Sequence, residues 1–147
     1  NNKNGYFVRD WNFCFNGTAP FTGYLIDSFP KTIYYIDGGR HVMTGKSLIA
    51  TSAGNIVRTA YRDWLWNVEK KTLLDQRPSW DLLAVYYAVE RDDRYFSVNH
   101  SGYLNFDPEK GSRWFSSDSM TNHFFIQQRA DTDSMLAGYL NKMIRHK

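Results

Sequence analysis

Two short stretches combine polar and aromatic side chains at spacings that could hold a small polar ligand. In Asp10-Trp11-Asn12-Phe13-Cys14-Phe15-Asn16, an extended backbone would send alternate side chains to one side, with Asp10, Asn12, Cys14 and Asn16 in one row. An aspartate beside an asparagine could there hold sugar hydroxyls. The same pattern suits a solvated strand face that ends in an Asn16-Gly17 turn, and the spacing leaves both readings open. In Arg77-Pro78-Ser79-Trp80-Asp81, a carboxylate stands at the opening turn of a very apolar segment. A buried carboxylate needs a metal, a cation or several hydrogen bonds to stay ionised. At a helix start it can equally complement the dipole and cap first-turn amides.

Other site chemistries find little support. His41, His100, His123 and His146 stand singly, without a His-x-x-x-His pair, and read as surface or core residues rather than zinc ligands. Cys14 is the only cysteine, so an intrachain disulfide and a cysteine-based zinc site are both excluded. Ser79 lacks the Gly-x-Ser-x-Gly frame of a hydrolase nucleophile, and no Gly-x-Gly-x-x-Gly phosphate loop occurs. The triplets Asn16-Gly17-Thr18 and Asn99-His100-Ser101 have the glycosylation pattern, which recurs by chance and has meaning only in a eukaryotic secretory context.

The elements that must position these residues follow from periodicity. Tyr6 to Phe15 reads as a strand or loop ending at Asn16-Gly17. Thr18 to Phe29 reads as a short helix stopped by Pro30. Lys31 to Asp37 is β-branched and aromatic without alternation, as in a strand covered on both faces, and Gly38-Gly39 ends it. Ser47 to Val68 carries helical spacing, with Gly54 as a dividing point. Pro78-Ser79 opens a helix over Trp80 to Glu90 that is apolar nearly all round and is expected to be buried. Tyr95 to Val98, Tyr103 to Phe106, Arg113 to Phe115 and His123 to Gln127 read as small antiparallel strands. A final helix, Ser134 to Arg145, should present Met135, Leu136, Tyr139, Leu140 and Met143 on one face behind an Asp131 or Asp133 cap.

The 147 residues suit one globular unit of mixed α/β class. Five Trp, ten Tyr and ten Phe make 17% of the chain, which fits a bulky core or a cleft that stacks rings and sugars. Eighteen Lys and Arg are interleaved with fifteen Asp and Glu, so the net charge of +3 forms no basic tract of the kind nucleic acid attracts. No apolar run approaches the ~20 residues of a membrane span, and Asn1-Asn2-Lys3-Asn4 reads as the start of a fragment or processed chain. Compartment is left open.

Against this background the two polar stretches resemble the inosine/uridine-preferring nucleoside hydrolases. The family's Glu-Phe-Asn, followed by Asp-Pro-Glu-Ala-Ala, is similar to Asp10-Trp11-Asn12 and Asn16-Gly17-Thr18-Ala19-Pro20. Its His-Asp before an apolar helix resembles Trp80-Asp81 before Leu82 to Val89, and its Gly-Ser-x-Trp stretch resembles Gly111-Ser112-Arg113-Trp114. Thr44-Gly45 and the helix around Tyr61 also fit, so the likeness covers most of the chain.

The resemblance implies the C-terminal half of a Rossmann-like open mixed sheet flanked by helices, with a small β-rich subregion near the C-terminus. It implies hydrolysis of the N-glycosidic bond of ribonucleosides by a calcium-bound water. Asp81 takes the place of a calcium ligand, which suits a cation that prefers hard oxygen donors. Asp10 and Asn12 take the places of ribose ligands. The Asp-rich stretch that supplies the family's general base and further calcium ligands is not in these residues. It is expected from the N-terminal half of the same domain or from a second chain, with a homo-oligomer also open. Trp80 stands where many members carry a leaving-group acid; an indole is no useful acid at neutral pH but can stack on a nucleobase. A non-catalytic nucleoside, ribose or carbohydrate binder on the same fold is therefore the alternative, with an aromatic-rich carbohydrate or nucleic-acid module behind it.

Overall fold

A computed structural model describes residues 6–119 and 121–146. Among them are five α-helices and several small sheets, with no barrel, so the chain is of mixed α/β class. No helix among the described residues is long and apolar enough to cross a membrane. The contacts divide the chain into two compact units, one running up to Asp37 and including Ser97–Gln127, the other formed by Gly38–Phe96 and the residues from Gln128 onward.

The first unit opens with a short helix α1, Trp11–Cys14, where alternation had predicted an extended segment. The cause is local: Asp10 sits at the N-cap with an extended backbone, and its carboxylate accepts from the Asn12 N–H at 2.9 Å. Cys14 is therefore buried while Asp10 and Asn12 stay exposed, so the row of four polar side chains does not form. Helix α2, Ala19–Ser28, follows as predicted, with Pro in its first turn and its end just before Pro30.

Strand β1, Ile33–Asp37, pairs with β7, His123–Gln128, in a parallel ladder from Ile33 opposite His123 to Asp37 opposite Gln127. This corrects the expectation that the late strands are all antiparallel. The third strand of the sheet is β4, Phe96–Asn99, in the order β1-β7-β4, so β1 lies at an edge with Tyr34 exposed, contrary to the two-sided cover its composition suggested. Strands β5, Tyr103–Asp107, and β6, Gly111–Phe115, form the expected antiparallel hairpin. The core joins α2, the hairpin and β7 through Ile26, Leu104, Trp114 and Phe125, with Tyr35 and Phe106 against them.

The second unit contains the two-stranded ladder of β2, Met43–Thr44, and β3, Arg77–Pro78, which is too short to leave a periodic signal. A 3-10 turn over Lys46–Ala50 precedes α3, Ile56–Trp64, whose N-cap Asn55 accepts from the Arg58 N–H at 2.9 Å. A π-type turn, Leu65–Glu69, continues it. Helix α4, Trp80–Glu90, has the expected bounds. Its burial is one-sided: Leu83, Tyr86 and Tyr87 are buried, whereas Val85 and Val89 are 60% and 70% exposed. Residues three and four apart share a helix face. Its covered side takes in Leu83, Tyr86 and Tyr87 with Leu82 partly buried at its border, and Val85 and Val89 stay exposed. Helix α5, Asp133–Ile144, likewise buries Leu136, Leu140 and Ile144 and leaves Met135, Tyr139 and Met143 partly exposed, so the stripe predicted as one face is split. Leu48, Tyr61 and Ile144 form a core cluster with Val57, Leu73 and Leu82 packed on it.

Candidate functional site

In the first unit a cleft of ≈ 290 Å³ lies along β1. Its lining includes the acidic Asp10 and Asp37 and the hydroxyl-bearing Ser112 together with the aromatic Phe13, Tyr34, Tyr35 and Phe125. The cap bond to the Asn12 N–H holds Asp10 in place. Asp37 is the last residue of β1, opposite Gln127 in the parallel pair. Ser112 is fixed by a two-way backbone bridge in which the Val8 N–H donates to Ser112 O at 2.8 Å and the Ser112 N–H donates to Val8 O at 2.9 Å. Two carboxylates facing aromatic side chains form a surface suited to a neutral polyhydroxy ligand, with hydroxyls donating to the acids and C–H faces against the rings.

Tyr35 keeps its proton throughout the physiological range, because burial raises its pKa and the nearby Asp27 charge adds to the rise. His123 lies behind the same wall, its ring 5.3 Å from that of Tyr35. Its Nδ1 accepts from the Leu104 N–H at 3.0 Å, and burial lowers its pKa against the smaller raising effects of the Ile26 backbone and Asp27. It is a neutral core histidine. His41, His100 and His146 are exposed.

Asn12 is exposed and does not line the cleft; its carbonyl accepts from Thr18 Oγ1 at 3.1 Å. The α1 cap thus ties Asp10 to Asn12 through the backbone, while the two side chains do not stand in one row. Asp37 was missed by motif reading. Its signal was available in the last polar residue of an apolar strand before Gly38-Gly39, because ligands of open α/β sheets gather at the carboxyl ends of strands.

Trp80 and Asp81 belong to the second unit. Trp80 is 47% exposed, and Asp81 is exposed as the acidic residue of the first turn of α4. Ser79, the N-cap, is buried but makes no capping bond; its hydroxyl lies 2.6 Å from Thr44 Oγ1, which in turn lies 2.7 Å from Tyr61 OH. The Ser79 N–H donates to Gly39 O at 3.1 Å. Burial raises the Tyr61 pKa, so this is a chain of neutral hydroxyls. Arg77, just ahead, stacks its guanidinium 3.7 Å from the centre of the Trp64 ring.

Calcium takes six to eight oxygen ligands. Among the described residues no three His, Cys, Asp or Glu side chains come together as a metal site. Asp81 is an exposed carboxylate at the start of α4, outside any such group. No protein family, curated protein or solved structure matches the chain.

Proposed function

We propose that this chain contributes the ribose-binding wall of a nucleoside hydrolase-like N-glycosidase on a Rossmann-like open sheet. The observation that carries the reading is the cleft in which Asp10, held by its own cap bond, faces aromatic side chains together with Asp37. A ribose offers hydroxyls to such carboxylates and an apolar ring face to Tyr34, Tyr35 or Phe13. The likeness of Asp10-Trp11-Asn12 and Trp80-Asp81 to nucleoside hydrolase motifs supports the same ligand class.

N-glycosidic hydrolysis passes through an oxocarbenium-like state, and carboxylates beside the sugar stabilise the positive charge as the base departs. In this reading Asp10 and Asp37, which both line the cleft, would take that electrostatic role. Asp81, by its likeness to the family's calcium ligand, is proposed as an oxygen donor to that cation, which would supply Lewis-acid chemistry when bound.

The test is calorimetric titration with ribose and with inosine, in calcium and in chelator, followed by an assay for released base. Sugar binding that Asp10→Asn weakens about tenfold or more, together with calcium uptake that Asp81→Asn weakens, supports the reading, since a hydrogen bond to a charged group is worth about 1.5–3 kcal/mol. Failure of the wild-type chain to bind either ligand in calcium overturns it. A second reading, binding without turnover, is favoured by Trp80, an accessible indole that can stack on a base and cannot protonate one. Tight binding without base release, in a sample that contains the Asp-rich segment, would select it.

A further inference from the structure

We infer that Asn16-Gly17 is a site of spontaneous backbone modification, in which Asn16 converts through a succinimide to aspartate and isoaspartate. The inference stands apart from the proposed function. Both residues are exposed and both hold left-handed backbone angles, φ 56° at Asn16 and 76° at Gly17. Asn tolerates that region better than most side chains, yet it remains less comfortable there than glycine. A side chain at Gly17 would meet nothing within 4 Å, so the space beside its Cα is open. Among the described residues nothing accepts a hydrogen bond from the Gly17 N–H, and the Asn16 amide group makes no hydrogen bond.

Among the described residues the other asparagines are protected in ways that Asn16 is not. Asn55 caps α3, Asn99 Oδ1 accepts from the Ser101 N–H, Asn122 Nδ2 donates to Phe29 O and Lys31 O, and Asn141 bridges Gly45, Ser47 and Met43. Asn12, Asn67 and Asn105 are each followed by Phe or Val, whose side chains hinder attack by the next nitrogen.

The chemistry needs only water. The Gly17 nitrogen gives up its proton and attacks Asn16 Cγ; a Gly17 N–Cγ bond forms, the Cγ–Nδ2 bond breaks, and ammonia leaves. Water then opens the ring. Breaking the new Gly17 N–Cγ bond gives aspartate, and breaking the bond from Gly17 N to the Asn16 main-chain carbonyl carbon gives isoaspartate. Each product carries a new carboxylate two residues before the Thr18 N-cap of α2. That helix start has no acidic residue and no side-chain capping bond, because Thr18 Oγ1 is spent on Asn12 O and Phe15 O. A negative charge there meets the positive end of the helix dipole.

The test is incubation of the folded protein in mildly alkaline buffer, with tryptic mapping over time. Cleavage after Arg9 and Lys31 isolates the peptide Asp10–Lys31 from the other Asn-Gly pair, Asn4-Gly5. The expected result is progressive loss of the Asn16 amide in that peptide, with both product isomers resolved and the reaction abolished in Asn16→Gln. Asn16→Asp, the pure aspartate product, should melt no lower than wild type. Survival of Asn16 in the folded protein, over a period in which the urea-denatured chain loses it, would overturn the inference.

Discussion

Thr44 Oγ1 lies 2.6 Å from Ser79 Oγ, and this buried contact takes the place of the capping bond that Ser79 would otherwise make to α4. A helix-opening serine normally turns its oxygen back onto the first-turn amides. Here it faces β2, and with Tyr61 it closes a line of three hydroxyls in which each has a partner. Thr44→Val keeps the volume and removes the central oxygen, which strands the other two. The expected loss is about 1–3 kcal/mol, the cost of leaving buried polar groups unsatisfied. Thr44→Ser should recover most of it. Urea melts of the three proteins decide; a Thr44→Val midpoint equal to wild type would show that Ser79 simply returns to capping at no cost.

Beside this network, Gly45 adopts φ 117°, and a Cβ there would stand 2.6 Å and 2.7 Å from two carbons of the Tyr61 ring. Gly45→Ala combines a backbone angle foreign to alanine with an overlap against a buried ring, and is expected to cost about 1–3 kcal/mol or more. Gly138→Ala makes the contrast. That glycine is inside α5 with nothing within 4 Å of its Cβ position, so alanine should stabilise by about 0.5–1 kcal/mol. Thermal midpoints moving in opposite directions are the expected outcome.

The pH dependence of stability should carry the mark of His123. Its Nδ1 accepts from the Leu104 N–H, so protonation breaks a buried hydrogen bond, and burial lowers its folded pKa below the usual value. The folded state therefore binds fewer protons than the unfolded one near pH 6. Its contribution is fully present above the unfolded histidine pKa, about 6.5, and is lost as the pH falls toward and through the folded value. Asp27 and the protonated Tyr35 hydroxyl are the other titratable groups near it. Denaturation midpoints from neutral pH downward should fall more steeply for wild type than for His123→Gln. Parallel curves would assign the acid sensitivity to other groups.

The elements that periodicity placed correctly are those whose signal is local. Helix α2 is bounded by Pro30, α4 by Pro78-Ser79, and the β5-β6 hairpin by its turn residues. The errors arose where partners or caps decided. Alternation from Asp10 to Asn16 looked like a strand, but a single side-chain bond from Asp10 turns the next four residues into a helix. The direction of β7 was illegible because the parallel partner β1 is some ninety residues earlier, and nothing in His123 to Gln128 encodes which strand it joins. Uniform apolarity in α4 hid which face the unit covers. Of the site residues, Asp10 was legible as a polar residue in an aromatic setting. Asp37 carries no motif, and only its place at the end of an apolar strand before Gly38-Gly39 hinted at the cleft it lines.

Asp37 supplies the last prediction because no motif points to it. If the cleft holds a sugar, its two carboxylates share the work, and Asp37→Asn should weaken ribose binding about as much as Asp10→Asn. Loss of a hydrogen bond to a charged group is worth about 1.5–3 kcal/mol, roughly a tenfold to hundredfold loss of affinity. The amide replacements preserve shape, and circular dichroism of each variant would establish that the fold is intact. Asp10 also caps α1, so Asp10→Asn retains an acceptor for the Asn12 N–H while removing the charge. Equal losses in both variants would locate the ligand in the cleft between them. A loss confined to Asp10→Asn would shift the site toward the start of α1, where Asn12 is exposed. Wild-type affinity in both would remove the cleft from consideration.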